Sequence, residues 1–264
     1  MQAYFLSDLH LGAPYFKDRI EAERRVVSFL ESIKRKADVL YLLGDILDYW
    51  YEYRYVVPRG FVRFFGKLAE LSDSGIRIVW LIGNHDIWIY DYIPTELGIE
   101  VVDGDLTEVI DGRKFYMTHG DGVGELKPAF RLMRGLFRNK FCQKLFSAIH
   151  PRWTVPFAYN WSSHSRKTGG SSGYESTGAM VENLRKYSLD YLKTHPDINY
   201  FIYGHLHVML QEPLALSPEA SHTPHAPHAP HAPHAEMIVL GDWITHFSYG
   251  HWDGTRFELA SIPV

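Results

Sequence analysis

The chain has 264 residues, of which 46% are hydrophobic and 22% are charged, and its formal net charge is −4. This composition is that of an ordinary globular protein, and the length suits one compact domain with room for an inserted segment. No stretch of the sequence approaches the roughly 20 apolar residues that cross a bilayer, which excludes a membrane-spanning helix.

Two features bear on the cell compartment. The first residues, MQAYFLSDLHL, lack both the basic and the apolar stretch of a secretory signal. Cys142 is the one cysteine of the sequence and has no partner for a disulfide within the chain. We therefore expect a cytoplasmic protein.

The first half of the sequence alternates strands with helices. Apolar runs predict strands at Gln2–Leu6, Val39–Leu43 and Ile76–Ile82, and such runs are typical of strands buried on both faces. Apolar residues at helical spacing predict helices over 18–36 and 61–71.

The second half is richer in strands. Asp111-Gly112 lies between candidate strands at Leu106–Ile110 and Lys114–Thr118, which is the strongest short-range signal for a hairpin. Helical spacing returns over Tyr174–Leu192, a strand follows at Tyr200–Tyr203, and the tail has the pattern of short strands. We therefore predict an α/β sandwich with mixed sheets.

Residues 223–235 have low complexity and contain Ala-Pro-His repeats. A repeat of three matches the polyproline II period, which would align His225, His228, His231 and His234 along one face that could collect metal ions. The segment has nothing to bury, however, so we favour a solvated loop between two strands, with bounds 213–235.

Candidate metal ligands follow the predicted strands one after another. They are acids, an amide and imidazoles: Asp8, His10, Asp45, Asn84, His85, His119, His205 and His207. Since sites in sheet proteins gather beyond the carboxyl ends of strands, these distant positions can converge. Mixed oxygen and nitrogen donors suit Mn²⁺, Fe²⁺ or Zn²⁺ better than Ca²⁺. Two such ions, bridged by a carboxylate and about 3.5–4 Å apart, can activate water and stabilise phosphoryl oxygens.

Each signal also has a plain structural explanation. An Asp-x-His pair on a loop usually serves a turn or a helix cap, and a lone histidine at a strand end is usually solvated. Asp48, Asp86 and Asp121 lie beside the candidate ligands and are expected to orient imidazoles or contact substrate, or else to serve local turns. Five groups in order, each after an apolar run, favour a dimetal centre over separate explanations.

The ordered motifs resemble the calcineurin-like metallophosphoesterase superfamily. They are Asp8-x-His10, Gly44-Asp45, Gly83-Asn84-His85-Asp86, His119-Gly120-Asp121 and Gly204-His205-x-His207. The resemblance implies an αββα sandwich of two mixed sheets. It also implies one ion on Asp8, His10 and His207, a second on Asn84, His119 and His205, and Asp45 as the bridge. His85, Asn84 and Asp45 would take part in catalysis.

A narrower resemblance is to the UDP-2,3-diacylglucosamine diphosphatase family of lipid A synthesis. The segments that carry it are residues 7–12, 44–50, 119–121, 137–143 and 241–243. It implies Mn²⁺-dependent attack of water on the UDP α-phosphorus, with UMP and 2,3-diacylglucosamine 1-phosphate as products. One branch of that family has Arg where this chain has His85, and the Ala-Pro-His repeats are foreign to the pattern. Another calcineurin-like phosphodiesterase or nucleotide pyrophosphatase is the alternative.

The segment 127–167 carries nine Lys or Arg residues and no Asp or Glu. Its apolar residues recur at three- and four-residue spacing: Phe130, Met133, Phe137, Phe141, Leu145 and Ile149. This pattern predicts a basic amphipathic helical lid, as one helix or as two broken near Gly135–Asn139, between core segments 1–126 and 168–264. The alternative is a helix that packs on the core with its charges in solvent.

We expect the lid to meet acyl chains and the anionic cytoplasmic face of the inner membrane, as a peripheral protein does. The expected contacts to a nucleotide-linked glycolipid substrate are Asp121, Phe137, Phe141, Ser165, Arg166 and Lys167. A nuclease could use the same basic segment for phosphates, but the apolar stripe argues against nucleic acid as a partner. A non-catalytic scaffold of the same fold would be expected to lack some of these ligands. The oligomeric state stays open.

Overall fold

In the part of the chain that the computed structural model describes, residues 1–125, 128–158, 173–214 and 235–263, eleven strands form two mixed sheets. The strands are β1 (Ala3–Leu6), β2 (Val39–Leu43), β3 (Arg77–Leu81), β4 (Glu100–Val102), β5 (Leu106–Ile110), β6 (Arg113–Thr118), β7 (Tyr200–Tyr203), β8 (Met209–Leu214), β9 (Ala235–Leu240), β10 (Ser248–Trp252) and β11 (Phe257–Ser261). The helices are α1 (Arg19–Ile33), α2 (Val62–Asp73), α3 (Tyr92–Leu97), α4 (Pro128–Arg138), α5 (Lys140–Ser147), α6 (151–158) and α7 (Gly173–Leu192). The predicted contacts Ser165, Arg166 and Lys167 and the Ala-Pro-His repeats lie outside the described residues.

Both sheets are mixed: sheet B has antiparallel strands at both edges, and sheet A at one edge only. Sheet A has the order β11-β10-β1-β2-β3-β4, in which β1 to β4 run parallel and β10 and β11 antiparallel. Sheet B has the order β5-β6-β7-β9-β8, in which β6, β7 and β9 run parallel. The loops that follow β1, β2 and β3, and those that follow β6, β7 and β9, therefore leave each sheet at a common edge.

The core between the two sheets is aromatic and aliphatic. Phe5 of β1 is fully buried, stacks on Tyr41 of β2 at a centroid distance of 5.0 Å and lies 6.0 Å from Phe115 of sheet B. The outer face of sheet A packs against α1 and α2, and the outer face of sheet B against α7. The four layers are helix, sheet, sheet and helix, which confirms the predicted αββα sandwich.

Side-chain caps explain several element boundaries. The Asp18 carboxylate accepts from the backbone N–H groups of Ile20 and Glu21, so α1 begins at Arg19. The buried Glu23 carboxylate accepts from the N–H groups of Arg63 and Phe64 and caps α2 from outside that helix. Asp111 and Gly112, with φ values of 48° and 76°, form the predicted two-residue hairpin turn between β5 and β6.

The bounds predicted for the loop 213–235 are wrong at both ends. Pro213 and Leu214 belong to β8 and pair with Glu236 and Ala235 of β9. The sequence analysis missed β8 because a proline interrupts its pattern, but β8 is an edge strand, where proline is tolerated.

The described part of the basic segment, residues 128–158, forms separate short helices instead of one continuous helix. Asn139 caps α5 by accepting from the N–H groups of Phe141 and Cys142, so the chain changes direction at the predicted break. Phe137 is therefore half-buried, whereas Phe141 and Leu145 point into solvent, and the predicted stripe does not face one way. None of the described helices is long and apolar enough to cross a membrane.

Phe5→Ala is expected to lower the free energy of unfolding by about 3–5 kcal/mol, because it leaves a cavity between the sheets. The matched control is Phe141→Ala, whose side chain is 68% exposed, with an expected change within about 0.5 kcal/mol. Urea denaturation followed by circular dichroism measures both. Equal shifts in the two variants would show that the inter-sheet core does not dominate stability.

Candidate metal centre

The predicted ligands meet where the loops after β1, β2, β3, β6 and β7 converge. Three groups of donor atoms form there, each with all its atoms within 4.8 Å of one another. They are Asp8, His10 and His207 in the first cluster, Asp45, His119 and His205 in the second cluster, and a third group of His10, Asp48 and His85 that shares His10 with the first. Asn84 joins the second cluster, since its Oδ1 lies 3.3 Å from His119 Nε2. The structure thus brings together the seven side chains that the family resemblance implied as ligands, and it places Asp45 with His119 and His205.

Asp45 lies between the two clusters. Its Oδ2 is 3.3 Å from His119 Nε2 in the second cluster and 3.6 Å from His10 Nε2 in the first. Its other oxygen accepts from the backbone N–H of His85 at 2.8 Å, which fixes the carboxylate plane. Burial by itself would raise the pKa of Asp45, but the nearby His119, His85 and His10 hold that pKa well below its ordinary value. Asp45 therefore keeps its charge and has the position of a bridge.

The first cluster contains an unsatisfied oxygen. Asp8 Oδ1 is buried and has no hydrogen-bond partner among the described residues. The Nε2 atoms of His207 and His10 lie 3.4 and 3.5 Å from it, beyond the usual length of an N–H···O bond. A buried carboxylate oxygen without a partner is costly, and a cation among these three atoms would satisfy it. The mixed oxygen and nitrogen donors fit a divalent ion such as Mn²⁺, Fe²⁺ or Zn²⁺.

Hydrogen bonds at the far side of the rings orient the imidazoles. His119 Nδ1 donates to the backbone oxygen of Leu43 at 2.8 Å, and His10 Nδ1 donates to Asp48 Oδ1 at 3.2 Å. Because these partners only accept, Nδ1 carries a proton, and in the neutral ring the lone pair lies on Nε2, which faces the centre. This is the arrangement of histidines that bind metal through Nε2.

The backbone of the site is strained. Five of the ligands have φ between 44° and 67°, in the left-handed region: Asp8, His10, Asp45, His205 and His207. Such a conformation costs a non-glycine residue about 1–3 kcal/mol and is characteristic of functional sites. Two positions beside the ligands have no room for a side chain and therefore require glycine. A Cβ on Gly44 would lie 2.6 Å from His119 Nδ1, and a Cβ on Gly83 would lie 2.3 Å from the Asp45 backbone nitrogen.

His85 lies at the mouth of the centre. Its Nδ1 is 2.9 Å from the backbone oxygen of Asp48, and its Nε2 is 3.9 Å from Asp45 Oδ2. A fifth of its side chain is exposed, so a ligand in the cleft can reach it. Burial of the ring within the cleft lowers the pKa of His85, so the imidazole is neutral at neutral pH.

Asp86, by contrast, forms hydrogen bonds to the backbone of two loops. Its carboxylate accepts from the N–H groups of Gly83 at 2.7 Å and Ile46 at 2.9 Å, and from Trp80 Nε1 at 3.2 Å. These bonds hold the loops after β2 and β3 together. Of the two roles that the sequence left open for Asp86, the structure therefore favours loop geometry.

Asp121 lies at the junction of the metal centre and the lid helices. Its buried carboxylate accepts from Arg134 Nε of α4 at 2.8 Å. Asp121 and His205 also line a cavity of about 500 Å³ between the centre, α4 and α7. The rest of that lining is largely apolar, with Phe130, Met180 and Leu206 among it.

The two predicted aromatic contacts differ in position. Phe137 lies against Trp88, at a centroid distance of 6.0 Å, and lines a second, almost wholly apolar cavity of about 260 Å³. Phe141 is 68% exposed and lines neither cavity.

One residue of the site was not selected from the sequence. Asp242, after β9, contacts His207 Nδ1 at 3.0 Å. The signal was present, because Leu240-Gly241-Asp242 repeats the strand-glycine-aspartate pattern of Leu43-Gly44-Asp45.

Comparison with known proteins identifies the family. Residues 1–209 match the family model of the calcineurin-like phosphoesterases. The chain belongs to this family. It is accordingly a hydrolase, and proteins of this family use divalent metals.

Relatives named UDP-2,3-diacylglucosamine hydrolase match this chain over nearly its whole length. The one from Porphyromonas gingivalis is 39% identical, over 98% of this chain and 97% of the relative. The relative from Ralstonia nicotianae is 26% identical, over 91% of this chain and 83% of its own, and the one from Serratia proteamaculans is 26% identical over the full length of both.

Asp45→Asn is expected to weaken binding of both ions by at least about tenfold. Substitution of a residue that only hydrogen-bonds to a metal ligand already lowers metal affinity by that factor. The measurement is metal content after loading with Mn²⁺ and desalting. Asp197→Asn, which alters a carboxylate with a 62% exposed side chain far from the centre, is the control. Two ions retained by Asp45→Asn would show that Asp45 is not the bridge.

Proposed function

We propose that this chain hydrolyses the pyrophosphate bond of UDP-2,3-diacylglucosamine, releasing UMP and 2,3-diacylglucosamine 1-phosphate. The observation that carries the proposal is the end-to-end match to relatives named for this substrate. The physical support is a paired cluster of metal ligands that opens beside a largely apolar cavity. A charged pyrophosphate and two acyl chains need these two environments side by side.

We propose that the ligands bind two divalent ions and that both ions are Mn²⁺. Asp8, His10 and His207 would hold one, Asn84, His119 and His205 the other, and Asp45 both. When bound, the ions supply Lewis acidity toward the phosphoryl oxygens and activate water. Asp8 and Asp45 keep their negative charge, since neighbouring histidines lower the pKa of both below the ordinary value despite burial.

His85 would act on the phosphoryl group from the mouth of the centre. The bond from its Nδ1 to the backbone of Asp48 fixes the ring and leaves Nε2 facing the cleft. A phosphoryl oxygen of the substrate held near Asp45 would lie within reach of Nε2. We propose that His85 acts in its protonated form, which the negative charge of a bound pyrophosphate favours. Nε2 then donates to a phosphoryl oxygen in the transition state or gives its proton to the leaving oxygen, a type of contribution that is typically worth 10²–10⁴-fold in rate.

The cavity beside the centre suits an acyl chain. It begins at Asp121 and His205 and continues between α4 and α7 along Phe130, Met180 and Leu206. Each methylene buried there contributes about 0.8 kcal/mol. We propose that Asp121 contacts the sugar or phosphate portion and that Phe137 borders a second apolar site.

The outward surface of the lid helices suits a lipid bilayer. Seven large apolar side chains of the described part of the lid are 46–77% exposed: Leu132, Leu136, Phe141, Leu145, Ile149, Trp153 and Phe157. Among the described residues, Lys140, Lys144 and Arg152 form no ion pair, and each basic group near an anionic membrane contributes about 1 kcal/mol. We propose that this surface rests on the cytoplasmic face of the inner membrane, with segment 127–167 as the lid.

Not all of the basic charge serves that surface. Arg134 pairs with Asp121, and Arg138 pairs with Asp103. These two arginines hold α4 on the core instead of contacting an anionic partner, so the lid is less positive toward solvent than its sequence indicates.

The purified chain loaded with Mn²⁺ is expected to release UMP from UDP-2,3-diacylglucosamine. His85→Ala is expected to lower kcat by about 10²–10⁴-fold while two ions remain bound. Chromatography of the reaction products measures the release of UMP, and metal analysis of the variant protein measures the bound ions. Hydrolysis of cyclic nucleotides or DNA without action on the glycolipid would favour the alternative phosphodiesterase, and an unchanged kcat would exclude His85 from the chemistry.

The double variant Leu132→Gln/Phe141→Gln is expected to bind vesicles containing phosphatidylglycerol about tenfold more weakly, since two exposed apolar groups are lost. Val62→Gln is the control, because Val62 is 76% exposed but lies on α2, outside the lid. Vesicle sedimentation measures the partitioning. A loss of the same size in the control would show that the lid is not the membrane-facing surface.

A further inference from the structure

The loop after β9 lies beside the metal centre as a consequence of the sheet order. β7 and β9 are parallel neighbours, with Tyr203 opposite Val239, so their carboxyl-end loops lie side by side. The β7 loop carries His207, and the β9 loop carries Asp242, which is buried with 3% exposure. Asp242 lies beyond residues 1–209, which match the family model.

The two oxygens of Asp242 share the Thr245 hydroxyl, which lies 3.0 Å from Oδ1 and 3.2 Å from Oδ2, and otherwise have different partners. Oδ1 accepts from the backbone N–H groups of Thr245 at 2.8 Å, His246 at 3.0 Å and Ile244 at 3.2 Å, which closes the loop. Oδ2 lies 3.0 Å from His207 Nδ1. The same loop is bonded to the first ligand loop, since the Trp243 N–H donates to the backbone oxygen of Asp8 at 3.1 Å.

The contact with Asp242 decides which nitrogen of His207 carries the proton. A carboxylate only accepts hydrogen bonds, so Nδ1 carries a proton, and the neutral ring then has its lone pair on Nε2. That Nε2 lies 3.4 Å from the unsatisfied Asp8 Oδ1. His207 also has a φ of 54°, a conformation that its surroundings must hold in place.

We propose that Asp242 is a positioning residue that sets the tautomer and orientation of His207 and thereby the cation affinity of the cluster Asp8, His10 and His207. This inference rests on the metal centre assumed in the proposed function. It adds a contribution from the part of the chain that follows the family match.

Asp242→Asn separates this role from loop closure. The three N–H groups fix the amide oxygen in the place of Oδ1, so the amide NH₂ must face His207 Nδ1. His207 then accepts at Nδ1 and carries its proton on Nε2, the atom that faces Asp8. Loop closure survives the substitution, whereas the lone pair for the cation is lost.

The experiment uses the full chain, stripped by chelation and titrated with Mn²⁺ by calorimetry. Asp242→Asn is expected to weaken one of two sites by about 10–100-fold, with an unchanged urea midpoint for the metal-free protein. His207→Ala should weaken the same site, and the double variant should match His207→Ala alone. Asp197→Asn is the control and should behave as the unsubstituted chain.

The outcomes separate the inference from the proposed function. Two tight sites in Asp242→Asn, or an additive loss in the double variant, would overturn the role of Asp242 and leave the metal centre intact. Absence of any tight site in the unsubstituted chain would overturn both. Nitrogen-15 shifts of the His207 ring in the metal-free chain, assigned through His207→Ala, give a test that does not depend on the folding of an Asp242 variant. A proton on Nδ1 is expected, and a ring protonated on Nε2 alone would overturn the inference.

Discussion

The buried carboxylate of Asp45 is the constraint on which the site depends. Its Oδ2 faces imidazoles from both clusters, and its Oδ1 is held by the backbone of the β3 loop. Together with Asp8 it places negative charge in a region closed to water. Such charge is tolerable only when paired, so the surrounding histidines and the cations that they would share are required by the same electrostatics.

The sandwich supplies the rigidity that this centre needs. Five ligands adopt left-handed backbone conformations, each at a cost of about 1–3 kcal/mol. Every one of them follows a buried strand whose register is fixed on at least one side by a parallel neighbour. The packed core between the sheets therefore determines the positions of the loops. The loops in turn hold the metal-ligand atoms close to one another.

The sequence predicted what is local and missed what depends on distant packing. A buried apolar run followed by Gly44-Asp45 is readable within seven residues, as is the Asp111-Gly112 turn. The edge strand β8 was missed because Pro213 interrupts its pattern and its pairing partner lies beyond the insert. A count of basic residues also could not show that Arg134 has a buried partner, Asp121, in another loop.

The lid helices carry large apolar side chains on both their inward and their outward sides. Inward, Phe137 and Phe146 pack on Trp88, and polar contacts add to this, since Tyr51 and Trp88 donate to the backbone oxygens of Gln143 and Phe137 and Arg134 pairs with Asp121. Seven further large apolar side chains are exposed on the outward side. In water this arrangement exposes contiguous apolar surface without compensation, whereas beside acyl chains it is favourable. The inward bonds fix α4 next to the metal centre, and the proposed glycolipid substrate would need this combination of an apolar surface and a cation site.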